Sequence, residues 1–250
     1  MNVDVLTAMN ADIFESTGKK MLWSVIEKWP DDTRLIVDAE GAIPRDEILS
    51  RNLHFLTRHG ERDAWMQQYR DHPGQDALRK CAWRFAFCSF AVTGWGLKSD
   101  ADIMVWLDAD TYTHRELPAS VMEEWLDGKA IAYLGRIPGY SETGFVIYDL
   151  RNPKVRAMLG EWRQIYKTGD IFDLPEWHDS YVFDHVRRKH FTQDEVSNLT
   201  PWGRNFDHVF LNGPTGAYMD HMKGGRKDGR SSPKDLMPQA SGHARAWVNG

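Results

Sequence analysis

The sequence predicts an α/β protein with a mostly parallel central sheet flanked by helices, and three observations carry that prediction. The chain opens strand, helix, strand: Val3 to Met9 is β-rich, Phe14 to Trp29 has a helical period, and Thr33 to Val37 is β-rich again. A near-continuous apolar run, Asp102-Ile103-Met104-Val105-Trp106-Leu107, suits a central strand covered on both faces. Of 250 residues, 42% are hydrophobic and 27% charged, enough to fill a sizeable core.

In order, the first strand ends at the turn Asn10-Ala11-Asp12. Met21, Leu22, Val25, Ile26 and Trp29 then recur at helical spacing until Pro30 stops them. The second strand runs into Asp38-Ala39-Glu40-Gly41. Residues 43–75 are polar and punctuated by Pro44, His59-Gly60 and Pro73-Gly74, which predicts helices joined by loops. Asp76 to Val92 reads as a helix with Leu78, Ala82, Phe85, Ala86 and Phe90 on one side. After the central strand come a short helix (Leu117 to Leu126), strands at Ile131–Leu134 and Gly144–Tyr148, and helices over Val155–Tyr166 and Asp179–His190. Val209-Phe210-Leu211 reads as a short late strand. The pattern predicts one compact unit over residues 1–230, with halves 1–111 and 112–230, and a flexible tail over 231–250 rich in Ser, Pro and Gly.

Composition excludes several classes. The 31 basic and 36 acidic residues give a net charge of −5, which argues against generic nucleic-acid binding. No stretch approaches the ~20 apolar residues that span a bilayer, and no signal-peptide pattern opens the chain, so a cytoplasmic setting is expected. Cys81 and Cys88 are too few for a disulfide framework, and seven residues apart on a helix they read as buried thiols. The 11 Trp residues read mainly as core.

Two segments carry chemistry. Asp108-Ala109-Asp110-Thr111 follows the apolar strand, and continued alternation would put both carboxylates on one side. Two close carboxylates repel, and a hard cation such as Mg²⁺ or Mn²⁺ resolves the conflict. The carboxyl ends of parallel strands are also where open α/β sheets place ligands. Far downstream, His221-Met222-Lys223-Gly224-Gly225-Arg226-Lys227 offers an imidazole to a metal, and basic groups with close backbone approach to an anion. The acidic motif admits two chemistries: sugar transfer from a nucleotide diphosphate, or phosphoryl transfer in the haloacid-dehalogenase manner with Asp108 as nucleophile. The second is disfavoured by the 107 residues that precede Asp108. A non-catalytic nucleotide- or sugar-binding module is the third class.

Four landmarks in order make the chain resemble nucleotide-sugar glycosyltransferases of the GT-A fold. They are Val105 to Thr111, Ser141-Glu142-Thr143-Gly144-Phe145-Val146, Trp177-His178-Asp179-Ser180 and His221-Met222-Lys223-Gly224. The chain is similar to retaining enzymes of the glycogenin and lipopolysaccharide-galactosyltransferase kind, with Glu-Thr-Gly and Asp-Ser where those carry Asn-Ser-Gly and Asp-Gln.

The resemblance implies Asp108, Asp110 and His221 as ligands of Mn²⁺ or Mg²⁺, with Asp108 also reaching the donor. It implies Lys223 and Gly224 on the diphosphate, and Thr7, Met9, Asn10 and Asp38 around the nucleoside. Arg84 is implied near the donor sugar or phosphate, and UDP-sugar is the favoured donor. Asp179, then Glu142, are the implied catalytic carboxylates, as base in an inverting enzyme or as stabilisers of an oxocarbenium-like charge in a retaining one. The implied partners are the donor and a glycan or small hydroxyl acceptor, with no nucleic acid, for a monomer or homodimer.

Overall fold

The computed structural model describes residues 1–41, 43, 48, 52–56, 60–75, 77–204 and 207–222. Seven strands form the main sheet: β1 (Val3–Asn10), β2 (Arg34–Glu40), β3 (Leu53–Leu56), β4 (Ile103–Leu107), β6 (Ile131–Leu134), β7 (Glu142–Asp149) and β8 (Val196–Asn198). Their order is β3-β2-β1-β4-β7-β6-β8. All run in one direction except β7, which is antiparallel to both β4 and β6. A separate ribbon pairs β5 (Thr111–Thr113) with β9 (Met219–His221), Thr111 opposite His221.

Alternation along the strands builds a core on each face. Leu6, Met104, Trp106, Val146 and Tyr148 point to one side, where α3 (Ala82–Gly96), α5 (Pro153–Thr168) and α6 (Asp179–His190) cover them with Phe90, Met158, Trp162 and Phe183. Val5, Ile103, Val105, Leu107 and Ile147 point to the other, under α1 (Lys19–Lys28) and α4 (Ala119–Leu126). Trp29 follows α1 in an extended conformation, as a residue before proline must. Helix α2 (Gly60–Tyr69) joins the first face through Trp65.

Three expectations are corrected. Leu53–Leu56 lies in the region read as helices and loops, yet it forms strand β3, paired among the described residues with β2 alone and at most half-buried. A strand with one partner and mixed burial leaves no clear period. Val209-Phe210-Leu211 belongs to a helical turn, α7 (Val209–Asn212), whose Leu211 N–H is received by His208 Nδ1 at 3.3 Å. A run of three apolar residues fits a buried helix turn as well as a strand. The helix expected over 76–92 occupies Ala82–Gly96 instead. Among the described residues, no helix is long and apolar enough to cross a membrane.

Below the sheet, fully buried Asp4 anchors β1. It receives Arg34 Nε at 2.6 Å, Trp95 Nε1 at 2.7 Å and Ser99 Oγ at 2.6 Å. Removing the carboxylate leaves Trp95 Nε1 and Ser99 Oγ without this acceptor, while Arg34 keeps Asp100 at 2.7 Å. Asp4→Ala is expected to cost about 2 kcal/mol, the scale of leaving buried donors unsatisfied. Urea denaturation of wild type and variant measures it.

Candidate functional site

Strand β4 ends at Leu107, so the two aspartates are not brought together by strand alternation. A tight turn does it: Thr111 N–H donates to the Asp108 carbonyl at 3.0 Å and Thr111 Oγ1 to the same oxygen at 2.8 Å. The turn leads directly into β5, and pairing with β9 sets His221 against it. Met222 N–H closes the pairing on the Asp110 carbonyl at 2.7 Å.

His221 Nε2 lies 2.9 Å from Asp110 Oδ1 and 3.5 Å from Asp108 Oδ2. One ligand atom from each of the three residues falls within 4.8 Å of the others. The imidazole is fully buried, while the two aspartates are partly open to the cleft. Trp106 Nε1 donates to Asp108 Oδ1 at 3.0 Å and orients that carboxylate. Gly144 forms the floor: a Cβ there would sit 2.6 Å from His221 Cε1 and 3.1 Å from Asp108 Oδ2. Two carboxylates and a nitrogen base converging over a residue with no side chain make a donor set able to hold a divalent cation.

Strand β7 begins beneath this cluster, and its alternation separates three roles. Glu142 and Gly144 face His221, whose Nδ1 is 3.9 Å from Glu142 Oε1. Thr143 faces the other way and donates to Asp179 Oδ2 at 3.0 Å. Asp179 opens α6, where Ser180 N–H donates to its Oδ1 at 2.8 Å. The helix N-cap is His178, receiving Tyr181 N–H at 3.3 Å. Protein crowding around the Asp179 carboxyl raises its pKa above the usual carboxylate range, against the lowering pull of the Ser180 and Thr143 hydrogen bonds.

A cleft of ≈ 580 Å³ opens beside the cluster, walled by Met9, Asn10, Ile13, Asp38, Glu40, Trp83, Arg84, Phe85, Phe87, Trp106, Asp108, Asp110 and Asp179. It lies at the carboxyl ends of β1, β2 and β4, where the connection from β1 leads to β2 on one side and the one from β3 crosses back to β4 on the other. Asn10 also caps the following turn, receiving Ile13 N–H at 2.8 Å, and Asp38 receives Arg62 Nη1 at 2.7 Å. A larger cavity of ≈ 730 Å³ beside α2 and β3 shares Asp38 but neither motif aspartate.

The expected residues therefore divide. Asp108, Asp110 and His221 converge, and Met9, Asn10, Asp38, Arg84 and Asp179 line the adjoining cleft. Thr7 is fully buried within β1 and is not part of the cleft wall. Glu142 lies below the cluster, paired with Arg136. Lys223 and Gly224 lie outside the described residues, as does the segment 231–250.

Cys81 and Cys88 are free and half-buried, and both border the cleft, Cys88 packing against the core as well. Burial, with Asp179, Asp108 and Asp38 nearby, pushes the Cys88 thiol up. Sequence reasoning did not find Trp83, Phe87 or Arg136, which sit in no recognisable motif; Trp106 was legible only as part of its strand.

No protein-family model matches the sequence, and no curated protein matches it either. Solved structures do. Mouse xyloside xylosyltransferase 1, in its apo form, is 11% identical over 76% of this chain and 82% of its own, with a TM-score of 0.51. The glycosyltransferase GlyE of Streptococcus pneumoniae TIGR4 is 13% identical over 83% of this chain and 47% of its own, with a TM-score of 0.53. The chain has the GT-A glycosyltransferase fold.

Two outcomes follow from the packing. Gly144→Ala drives a methyl group into His221 and Asp108 and is expected to weaken Mn²⁺ binding at least ~10-fold with the far-UV spectrum unchanged, as a misplaced ligand does; titration with Mn²⁺ followed by EPR reads the free ion. An acid whose native pKa is raised favours the fold below its unfolded pKa and loses that contribution as pH rises through the native value. Ionised Asp179 therefore costs stability at neutral pH. Asp179→Asn is expected to melt higher than wild type at pH 7, with the gain vanishing below about pH 4 where the acid is protonated in both states.

Proposed function

We propose that this protein is a metal-dependent glycosyltransferase that moves a sugar from a nucleotide diphosphate sugar, UDP-sugar being favoured, to a hydroxyl of a glycan or small acceptor. The observation that carries the reading is the convergence of Asp108, Asp110 and His221 at the cleft mouth of a GT-A fold. Asp108, Asp110 and His221 hold the cation, Mn²⁺ or Mg²⁺. When bound, it supplies charge neutralisation for the diphosphate as the glycosidic bond to it breaks.

The chain's own residues do the rest. Met9, Asn10 and Asp38 flank the end of the cleft assigned to the nucleoside, and Arg84 brings an exposed guanidinium to the same wall. Lys223 and Gly224, next in sequence after the β9 histidine, are assigned to the diphosphate. Asp179 is the carboxylate for the reacting centre. It opens onto the cleft and is held by Thr143 and Ser180, so it can face developing positive charge on the sugar or take a proton from the acceptor.

A phosphatase built on Asp108 needs a further acidic pair near its nucleophile. Asp170 and Asp173 sit on the turn after α5, away from the cleft wall.

The test is incubation of the purified protein with a panel of nucleotide sugars and Mn²⁺, with and without glycan acceptors. Donor hydrolysis or transfer is expected, lost on chelation and reduced at least ~100-fold in Asp110→Asn and His221→Ala, on the scale of losing one preorganised electrostatic group. Phosphate release from small phosphomonoesters without sugar transfer would replace this reading with the phosphatase. Nucleotide-sugar binding with no turnover would replace it with a binding module.

A further inference from the structure

The buried imidazole of His221 uses one nitrogen on the aspartates and leaves the other, Nδ1, without a hydrogen-bond partner. A fully buried polar nitrogen in that condition is costly. Around the ring, Phe210 packs at 5.0 Å between centroids and His208 meets it edge-on at 6.3 Å. Neither ring contact supplies an acceptor for Nδ1. The group that can do so is Glu142, whose Oε1 is 3.9 Å from Nδ1. One bridging water spans that distance, or a small rotation of the carboxylate closes it.

Glu142 is built to stay there. Its side chain is nearly fully buried, its Oε2 is paired with Arg136, and its Oε1 receives the Gly144 N–H at 3.2 Å. It is absent from the cleft wall that contains Asp179. Strand alternation aims it at the same side as Gly144, under the imidazole.

We infer that Glu142 is the positioning residue for His221: held by Arg136 and the Gly144 N–H, it accepts the Nδ1 proton and presents Nε2, lone pair outward, to the Asp108–Asp110 pair. This rests on the metal site of the proposed function and changes the role expected for Glu142. The carboxylate acts through the histidine and does not touch the substrate. A histidine that ligates a metal commonly gives its second N–H to a carboxylate, which fixes the ring and raises its basicity. The Arg136–Glu142–His221 arrangement has that form, with the arginine anchoring the far oxygen.

The experiment uses the full-length protein and Mn²⁺ alone. Affinity is read by EPR of free Mn²⁺, and ligation by the histidine nitrogen coupling in pulsed EPR of the loaded protein. Glu142→Leu removes the acceptor and is expected to weaken Mn²⁺ binding about 10- to 100-fold and to diminish the nitrogen coupling. Glu142→Gln, which keeps one acceptor oxygen and the side-chain shape, is expected to fall between it and wild type. If Glu142→Leu does not fold, Glu142→Gln decides alone.

Affinity within about twofold of wild type and an unchanged nitrogen coupling in the folded variants would overturn the inference and leave the metal site standing. A wild-type protein whose bound Mn²⁺ shows no histidine nitrogen coupling would overturn the metal site itself, and the inference with it.

Discussion

Two carboxylates and an imidazole meet within 4.8 Å at the end of β4, and the architecture around them serves to hold them there. Like charges about 4 Å apart repel by about 4 kcal/mol at an effective dielectric of 20. The fold opposes this with fixed backbone. The Asp108–Thr111 turn is locked by two hydrogen bonds to one carbonyl, and Met222 N–H locks β9 onto Asp110. The ribbon is tied in turn to α1: Ser24 Oγ receives Thr113 N–H at 3.0 Å, and Trp29 Nε1 donates to Thr113 Oγ1 at 3.0 Å. A residue 111 positions downstream of Asp110 is thereby held against it as firmly as a neighbour in one strand.

The reversed strand β7 is what makes the site three-sided. In a purely parallel sheet, every strand beside the cleft would end there. Because β7 starts there instead, it brings side chains of alternating direction under the cluster: Glu142 and Gly144 towards His221, and Thr143 towards Asp179. The Asp108–Asp110–His221 cluster and the cleft carboxylate are therefore coupled through one backbone segment. The same segment is hydrogen-bonded to the motif itself, through Asp108 N–H to the Gly144 carbonyl at 3.0 Å.

Much of this was legible because it rests on strong local patterns. The central strand announced itself by five consecutive apolar residues, and the helix expected over Asp179–His190 has those bounds in the structure. The partnership of Asp108 and Asp110 with His221 was legible as chemistry, since two acids and a distant histidine share a natural ligand. The geometric reason offered for the two acids was not the one the structure uses. A turn replaces alternation, because strand pairing stops at Leu107. What stayed illegible depends on tertiary contacts. Leu53–Leu56 becomes a strand only because β2 offers an edge, and Val209–Asn212 becomes a helical turn because His208 caps it. Arg136 has no motif around it, and its meaning comes from Glu142 six residues on. Cys81 precedes α3 rather than sharing a helix face with Cys88, and both border the cleft.

The cleft's electrostatics give the last step. Asp38, Glu40, Asp108, Asp110 and Asp179 all border a space of ≈ 580 Å³, with Arg84 as the cation on the same wall. Burial raises the pKa of Glu40 against the lowering pull of Arg62 and Arg70, with a smaller rise from Asp38. Crowding does the same to Asp179, with Glu142 adding to it. In both, removal from water disfavours the charged form. The wall is mainly acidic, so the proposed diphosphate donor requires positive charge close to the motif. The donor set at Asp108, Asp110 and His221 supplies a place for it at the cleft mouth. Just past His221 the sequence turns basic at Lys223, Arg226 and Lys227. In the sequence, positive charge thus follows His221 within a few residues, which would offset this acidity for the proposed donor.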